Sequence, residues 1–203
     1  MSAKPCAPAA ERNCGPILDV IREVFANAPC VLEIGSGTGQ HAVHFGRELP
    51  HLSWQTSDLE ENHAGILAWL DEARLANVHD PIVVDVLTAQ LPASSYDAVY
   101  SANTAHVMHI EAVGKMFELV ASVLRTGGVF CLYGPFRQDG AFNAASNAQF
   151  DAKLRGQDPE MGIRDLEDLD RFAASNGLRR TRLVAMPSNN HLVVWVKNGE
   201  ETA

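Results

Sequence analysis

Three closely spaced glycines, Gly35, Gly37 and Gly39, follow directly on a strand-forming run at residues 31–34. Glycine lets the backbone turn tightly and approach a ligand without interference from a Cβ atom. A helix is predicted to follow at 40–49, so the unpaired N–H groups of its first turn would face the same crevice as the glycine turn. A strand, a glycine turn and a helix at the carboxyl edge of a parallel sheet typically hold an adenosine-containing cofactor.

Two aspartates further along the chain support a nucleoside ligand. Asp58 closes the run 52–57 at about 20 residues beyond the glycine turn, where a carboxylate can accept hydrogen bonds from both ribose hydroxyls. Asp85 ends the apolar run 81–84 and is suited to the edge of an adenine ring. With both side chains present, a glycine turn that binds nothing is the less favoured interpretation.

The placing of the glycines distinguishes S-adenosylmethionine from NAD. A dinucleotide site has the pattern G-x-G-x-x-G, in which the last glycine allows close packing of the helix on the strand. Here the pattern is G-x-G-x-G, and Gln40 occupies the place of that last glycine. Glu33, near the end of the strand, would oppose a pyrophosphate but could orient a cationic sulfonium group. The sequence therefore favours S-adenosylmethionine as the cofactor and S-adenosylhomocysteine as its product.

Composition and charge narrow the class of protein. The 203 residues are 46% hydrophobic, which predicts a single domain, 1–203, with a sizeable core. The net charge of −9 argues against a nucleic acid as the main partner. The cysteines show no metal-ligand spacing, so no metal site is predicted and a reducing, cytoplasmic location is favoured. No stretch approaches the ~18 apolar residues of a membrane span, so we expect no membrane partner, and no oligomeric state is specified.

Strand-forming runs and helical patterns alternate along the chain, after a helix with Pro16 in its first turn. Strands are predicted at 31–35, 52–57, 82–86, 96–102 and 128–134, and helices at 40–49, 61–75 and 111–124. Such alternation implies a doubly wound α/β fold with helices on both faces of a parallel sheet. Runs 178–186 and 191–197 flank a turn and predict an antiparallel hairpin. A mostly parallel, seven-stranded Rossmann-like sheet with this C-terminal hairpin is the class I methyltransferase arrangement.

Two segments lie outside this alternation. The stretch 135–165 is longer than a normal connection, and loops of that length are usually lids or binding loops. Within it, a capping box at 146–149 predicts the start of a short helix, and Asp165 with Asp168 predicts another. We expect 135–165 to form a lid or substrate insertion, and 1–27 to form an N-terminal cap and helix.

Longer pieces of the sequence match a known family. They are 11–13, 16–18, 32–41, 57–58, Asn103 with His106, 132–136, 146–147, 150–151, 154–155, 158–159, 162–168, 186–187 and 189–190. Over nearly its whole length the chain therefore resembles the methyltransferase-like protein twenty-six family, which is known in bacteria as a domain of unknown function. The resemblance implies a class I S-adenosylmethionine fold but carries no substrate, because the family is mostly uncharacterised.

Polar residues that follow the fourth and fifth strands are candidates for the chemistry, because ligands of open α/β sheets lie outside the carboxyl ends of the strands. Methyl transfer is an in-line displacement that depends on positioning and needs a base only when the nucleophile arrives protonated. His106 is the best candidate base, since imidazole titrates near neutrality, and Tyr133 is the second candidate catalytic residue. The alternative is that His106 is a packing histidine in a loop.

Three arginines, Arg12, Arg137 and Arg164, lie in the segments expected to fold over one mouth of the site. Guanidinium groups bind carboxylate or phosphate through paired hydrogen bonds, so an anionic substrate is one interpretation. Ordinary surface ion pairs with neighbouring acidic residues are the alternative.

The sequence leaves two classes of function open. The first is an S-adenosylmethionine-dependent methyltransferase acting on a small, carboxylate-bearing molecule, and the second is a non-catalytic regulatory or interaction module that binds the cofactor on the same fold. An NAD-dependent enzyme is disfavoured by Gln40 and by the C-terminal hairpin. The candidate cofactor-binding residues are Asn13, Glu33, Gly35, Ser36, Gly37, Gly39, Gln40, Asp58, Asp85, Val86 and Asn103. The candidate substrate-binding residues are Arg12, Phe136, Arg137, Asn147 and Arg164.

Overall fold

The computed structural model describes residues 4–199, which form a central sheet between two layers of helices. The strands are β1 (Cys30–Ile34), β2 (Ser53–Asp58), β3 (Val78–Val83), β4 (Tyr96–Ala102), β5 (Leu124–Gly134), β6 (Phe136–Arg137), β7 (Arg164–Asp165), β8 (Leu178–Met186) and β9 (Asn190–Lys197). The α-helices are α1 (Pro8–Val24), α2 (Gln40–Glu48), α3 (His63–Ala73), α4 (Ile110–Val123), α5 (Ala145–Gln157) and α6 (Leu166–Ser175). Within residues 4–199, every helix is too short or too polar to cross a membrane.

Seven strands form the main sheet in the order β3-β2-β1-β4-β5-β9-β8. β1 pairs in parallel with β2 and β4, and β4 pairs in parallel with β5. β9 runs antiparallel to both β5 and β8, so the last two strands form a hairpin. This confirms the predicted α/β fold with a mostly parallel sheet and a C-terminal antiparallel hairpin. The strand order reverses between β1 and β4, and the carboxyl ends of these two strands form the crevice where ligands bind in such sheets.

Alternating side chains of β1 belong to hydrophobic cores on opposite faces of the sheet. Val31 belongs to a cluster with Phe45 and Trp54 that includes side chains of α1, α2 and α3. The next apolar residue, Leu32, belongs to a second cluster, with Phe117 and Trp195, that includes side chains of α4 and α6. Successive side chains of a strand point to opposite faces, so one strand anchors both layers and fixes the position of the turn that follows it.

The first helix begins earlier than its apolar pattern predicts. α1 starts at Pro8, and Pro16 lies inside the helix instead of in its first turn. The alanines at positions 9 and 10 favour helix, and Pro8 supplies the proline that is preferred at a helix start. Since Pro16 has no N–H group, the carbonyl of Arg12 lacks its usual intrahelical donor.

The third strand ends before the position that the sequence predicts. β3 stops at Val83, so Asp85 and Val86 belong to the loop that follows. Pro81 lies inside β3, which is compatible with pairing because β3 is an edge strand of the sheet. Because Asp85 lies in the loop, the direction of its side chain is not fixed by the alternation of side chains along a strand.

The segment 135–165 is more regular than predicted. It contains α5 and the two-residue strands β6 and β7, which pair in parallel. The predicted capping box is wrong, because α5 begins at Ala145 and no side chain caps its first turn. The helix start predicted at Asp165 is confirmed, since α6 begins at the next residue.

Candidate active site

The glycine turn after β1 uses each of its glycines for a different reason. Gly35, Gly37 and Gly39 all have positive φ angles, of 72°, 59° and 86°. A Cβ atom on Gly35 would lie 2.6 Å from Cγ2 of Thr104, and one on Gly39 would lie 3.1 Å from Cα of Ile66. A Cβ atom on Gly37 would enter open space, so this residue leaves the crevice unobstructed. Replacing any of the three would strain the turn, since L-residues rarely adopt these angles.

Glu33 and Ser36 support this turn from below. The Ser36 hydroxyl donates to Oε2 of Glu33 at 2.9 Å and accepts a hydrogen bond from the Ser57 amide at 3.1 Å. Nε1 of Trp54 donates to the same carboxylate oxygen at 3.1 Å. Burial raises the pKa of Glu33 to about 7, although the hydrogen bonds from Trp54 and Ser36 act in the opposite direction. Neither side chain lines the crevice, so both support the turn from beneath, and their direct contact with a cofactor stays a prediction.

Asp58 lies at the end of β2 with its carboxylate already oriented. Oδ2 accepts a hydrogen bond from the Gly37 amide at 2.7 Å. Oδ1 accepts from the Leu59 amide and from Nδ2 of Asn62, both at 2.8 Å. A carboxylate has about four acceptor positions, so these three contacts leave capacity for a ligand hydroxyl. Asp85 lies on the same crevice, with Oδ1 accepting from the Leu87 amide at 3.0 Å.

The crevice holds a cavity of about 450 Å³. It is lined by Ile34, Gly35, Gly37, Asp58, Leu59, Asn62, Val84, Asp85, Val86, Leu87, Ala102, Asn103, Thr104, Val107, Met108 and Ala112. Leu59, Leu87 and Val107 are 40%, 52% and 44% exposed, which is unusual for large apolar side chains gathered at one cavity. An apolar rim around a few oriented polar groups suits a flat aromatic ring joined to a polar moiety.

The second cavity, of about 80 Å³, adjoins the first and is more polar. It is lined by Ala9, Arg12, Asn13, Asn103, Tyr133, Pro187, Ser188 and Asn190. Asn103 lines both cavities, has a φ angle of +59°, and donates its backbone N–H to the carbonyl of Tyr133 at 2.8 Å. The structure thus brings together Arg12, Asn13, Asn103 and Tyr133 from the predicted set.

Tyr133 is held by carboxamides on the wall of the smaller cavity. Nδ2 of Asn190 donates to its hydroxyl oxygen at 3.0 Å. Burial raises the pKa of Tyr133, and this effect exceeds the opposing influence of Asn13, Asn190 and Arg12. The phenol therefore stays protonated near neutral pH. Ser188 and Asn190, in the β8–β9 turn, are not among the predicted site residues. Their place at this edge of the sheet follows from β8 running parallel to β5, an arrangement that the local sequence does not specify.

His106 lies away from both cavities. It is 7% exposed, and its ring packs edge-on against Phe150 with the ring centroids 5.2 Å apart. Burial, reinforced by the charge of Arg164, lowers the pKa of His106 to about 4. Its backbone carbonyl accepts a hydrogen bond from the Gly162 amide at 3.0 Å. These contacts correspond to the packing histidine that the sequence left open, and they do not support the predicted role as a base.

The three arginines do not converge on one mouth. Arg164 is 7% exposed and donates to three backbone carbonyls, those of Ala105 at 3.0 Å, Glu160 at 2.7 Å and Met108. Arg137 is paired with Asp165 at 2.5 Å. Only Arg12 of the three lines either cavity, whereas Arg137 makes the ion pair of the alternative interpretation and Arg164 makes backbone contacts.

Three further predicted residues also have structural positions. Oε1 of Gln40 accepts hydrogen bonds from the Ala7 amide at 2.5 Å and the Thr38 hydroxyl at 2.9 Å, which holds the N-terminal segment against α2. Nδ2 of Asn147 donates to the carbonyl of Asn189 at 2.9 Å, which ties α5 to the β8–β9 turn. Phe136 is 2% exposed and belongs to the core beneath α4 and α6. None of the three side chains reaches the cavities.

Within residues 4–199, no three side chains of His, Cys, Asp or Glu lie close enough together to hold a metal ion. Neither cavity has a lining residue from 135–165 in the described part of the chain, so the segment predicted to form a lid does not line them.

The sheet order, the glycine turn after β1 and the carboxylate at the end of β2 define a class I methyltransferase fold. The chain belongs to the family described as Protein of unknown function (DUF938), whose model matches residues 4–197.

Solved structures share this fold at low sequence identity. An O-methyltransferase family protein from Burkholderia thailandensis has a TM-score of 0.82 and 19% identity, over 95% of this chain and 58% of its own. An O-methyltransferase family 2 protein from Planctomyces limnophilus, solved in complex with apigenin, has a TM-score of 0.73 and 13% identity, over 91% of this chain and 61% of its own. Human N-acetylserotonin methyltransferase, solved with S-adenosylmethionine, has a TM-score of 0.70 and 15% identity, over 94% of this chain and 58% of its own. The chain spans less than two thirds of the length of each.

Proposed function

We propose that this protein is an S-adenosylmethionine-dependent methyltransferase that acts on a small molecule carrying an anionic group. One observation carries the proposal: Asn103 lines both the large cavity beside the glycine turn and the small polar cavity beside Arg12. A methyl donor in the first cavity and an acceptor in the second would meet at this residue. Holding the two reacting atoms next to each other is the main requirement of an in-line displacement.

The large cavity suits the adenosyl part of the cofactor. Asp58 would accept hydrogen bonds from the ribose hydroxyls, and the apolar side chains of Leu59, Leu87 and Val107 would cover the faces of the adenine. Asp85 would lie at the edge of the adenine ring. The fold supports this assignment, because human N-acetylserotonin methyltransferase, which shares it, has been solved with S-adenosylmethionine.

The small cavity suits an acceptor that arrives already ionised. Arg12 is the cationic residue among those that line it, and none of them is a histidine or a carboxylate. Tyr133 keeps its proton at neutral pH, and His106 lies elsewhere, so no lining side chain is suited to removing a proton. A carboxylate, ionised at pH 7, needs no base. Its oxygen would form the new bond to the methyl carbon as the carbon–sulfur bond breaks, and S-adenosylhomocysteine would leave.

Calorimetric titration with S-adenosylhomocysteine tests the cofactor site. We expect saturable binding, and the Asp58→Ala variant should bind about 1–3 kcal/mol more weakly, since the ribose hydroxyls lose a charged acceptor. Glu60→Ala is the matched control, because Glu60 is an exposed acid on the next turn and does not line the cavity. Equal affinity of the Asp58 variant and the wild type, or binding of NAD in place of S-adenosylhomocysteine, would contradict the assignment.

A screen for methyl transfer tests the acceptor. Small carboxylic acids and their uncharged amides are incubated with S-adenosylmethionine, and formation of S-adenosylhomocysteine is followed. We expect turnover with carboxylates, reduced in Arg12→Ala and unchanged in Arg171→Ala, whose side chain is exposed on α6. Turnover confined to neutral or cationic acceptors, with Arg12 replaceable, would refute the anionic substrate. Cofactor binding without turnover of any acceptor would favour the non-catalytic module instead.

A further inference from the structure

Two buried residues behind the small cavity form a hydrogen-bonded pair. His41, at the start of α2, and Tyr100, in β4, are 8% and 0% exposed. The Tyr100 hydroxyl oxygen lies 3.5 Å from Nδ1 of His41, and the other ring nitrogen, Nε2, lies 2.7 Å from Oδ1 of Asn13. The imidazole is held between two rings, stacked on Phe45 with centroids 5.3 Å apart and edge-on to Tyr100 at 5.9 Å. The pair contacts the wall of the cavity through Asn13, which lines it.

The direction of these hydrogen bonds follows from the chemistry of the groups. Burial lowers the pKa of His41 to about 4, so the ring is neutral and carries a single proton. Oδ1 of Asn13 can only accept, so that proton is on Nε2, which donates to Oδ1 at 2.7 Å. Nδ1 therefore accepts from the Tyr100 hydroxyl, which keeps its proton because burial raises the pKa of Tyr100 well above 10.0. The amino group of Asn13 points away from His41.

Tyr133 lies on the same cavity wall, and its hydroxyl oxygen accepts a hydrogen bond from Nδ2 of Asn190 at 3.0 Å. Asn13 lines this wall with its amino group turned away from His41, and Asn13 and Asn190 both act to lower the pKa of Tyr133 against the larger effect of burial. Because the Tyr133 oxygen accepts from Asn190, its own proton is free to point into the cavity. The cavity then presents donors from Arg12 and Tyr133, and none of its lining residues is acidic.

We propose that the small cavity is a carboxylate-binding subsite, in which His41 and Tyr100 are positioning residues that direct the amide of Asn13 beside the hydroxyl of Tyr133. This inference rests on the proposed methyltransferase function and deepens it by naming the residues that position the donors for the carboxylate. A carboxylate accepts hydrogen bonds from all of these donors, whereas a carboxamide of the same shape brings its own NH₂ group against them. Discrimination between acetate and acetamide is therefore the expected property.

Nuclear magnetic resonance on the full chain tests the subsite. Acetate and acetamide are titrated separately into the protein with S-adenosylhomocysteine present, while the side-chain amide signals of Asn13 and Asn190 are followed. We expect saturable shifts with acetate and an affinity for acetamide at least about tenfold weaker. The nitrogen shifts of His41 should place its proton on Nε2. Equal affinities for the two probes, or a proton on Nδ1, would overturn the proposal.

A matched pair of variants tests the positioning role. His41→Phe keeps an aromatic ring but removes the Nε2 donor, so it should lose most of the preference for acetate while keeping its affinity for S-adenosylhomocysteine. His44→Phe, on the same helix, should keep the preference, because His44 borders a separate surface cavity beside Arg47 and Trp69. Full retention of the preference in His41→Phe would refute the role.

Two safeguards keep the test decisive. If His41→Phe does not fold, Tyr133→Phe removes the terminal donor instead and should weaken acetate binding more than acetamide binding. The two probes are also titrated without S-adenosylhomocysteine, so that probe binding and cofactor binding are measured separately. Failure of S-adenosylhomocysteine to bind counts against the proposed function, whereas loss of discrimination between the probes counts against the subsite alone.

Discussion

Replacing Arg164 by alanine is expected to lower the free energy of unfolding by about 3 kcal/mol or more. The guanidinium donates to the carbonyls of Ala105, Met108 and Glu160, so the variant leaves three backbone acceptors without a partner. The contact with Ala105 is buried and the other two are partly buried, and a buried acceptor that loses its hydrogen bond costs roughly 1–3 kcal/mol. Urea denaturation followed by circular dichroism measures the difference.

The Arg164 experiment has a control on α6. Arg171 is an arginine paired with Asp168, and its side chain is 78% exposed. Exposed ion pairs contribute about 0–1 kcal/mol, so Arg171→Ala should change the free energy of unfolding little. Arg164→Lys should recover only part of the loss, because an ammonium group does not reproduce the planar arrangement of guanidinium donors. Similar small effects of Arg164→Ala and Arg171→Ala would show that the buried contacts are unimportant.

Replacing Glu33 by glutamine is expected to change how stability depends on pH. The pKa of Glu33 is raised from 4.5 to about 7 in the folded protein by burial. Between these two values the folded chain holds a proton that the unfolded chain has lost. The free energy of unfolding therefore falls as the pH rises through this window, by ~3 kcal/mol in all, and the loss is complete above pH 7. Glutamine cannot ionise, yet its oxygen can still accept from Trp54 and Ser36, so this dependence should disappear.

Comparing the wild type with Glu33→Gln isolates the contribution of Glu33 to the pH dependence of stability. Burial lowers the pKa values of His41 and His106 from 6.5 to about 4, so these histidines make stability fall as the pH drops below 6.5. Both proteins carry this opposite trend, and it cancels when the stability of one is subtracted from that of the other. Thermal and urea unfolding at a series of pH values from 4.5 to 8 gives the subtraction. A constant difference between Glu33→Gln and the wild type would show that Glu33 ionises normally.

The crevice that we propose for the cofactor could largely be located from the sequence. The glycine turn, Asp58 and Asp85 each follow a strand of a parallel sheet, and such strands bring their carboxyl ends to one edge. Local sequence therefore determined the location of these residues, even where a strand boundary was wrong, as with β3. Local sequence did not show which side chains face the crevice. Glu33 and Ser36 lie beneath the glycine turn, and Gln40 accepts a hydrogen bond from the Ala7 amide.

The acceptor side was less predictable, because its contacts join distant parts of the chain. Arg164 binds a carbonyl 59 residues away, and Asn190 binds the Tyr133 hydroxyl from 57 residues away. A guanidinium group is equally suited to a substrate anion and to backbone carbonyls, so residue type alone did not separate Arg12 from Arg164. Burial decides between these uses, and burial depends on how 135–165 packs.

The two cavities are built from different parts of the chain, and this has an evolutionary consequence. The large cavity is formed by residues between Ile34 and Ala112, whereas the small one takes most of its wall from α1 and from the β8–β9 turn near the other end of the chain. Asn103 is the residue that both share. Under the proposed function, mutations in α1 or in that turn would change the molecule accepted while leaving intact the cavity proposed for the donor.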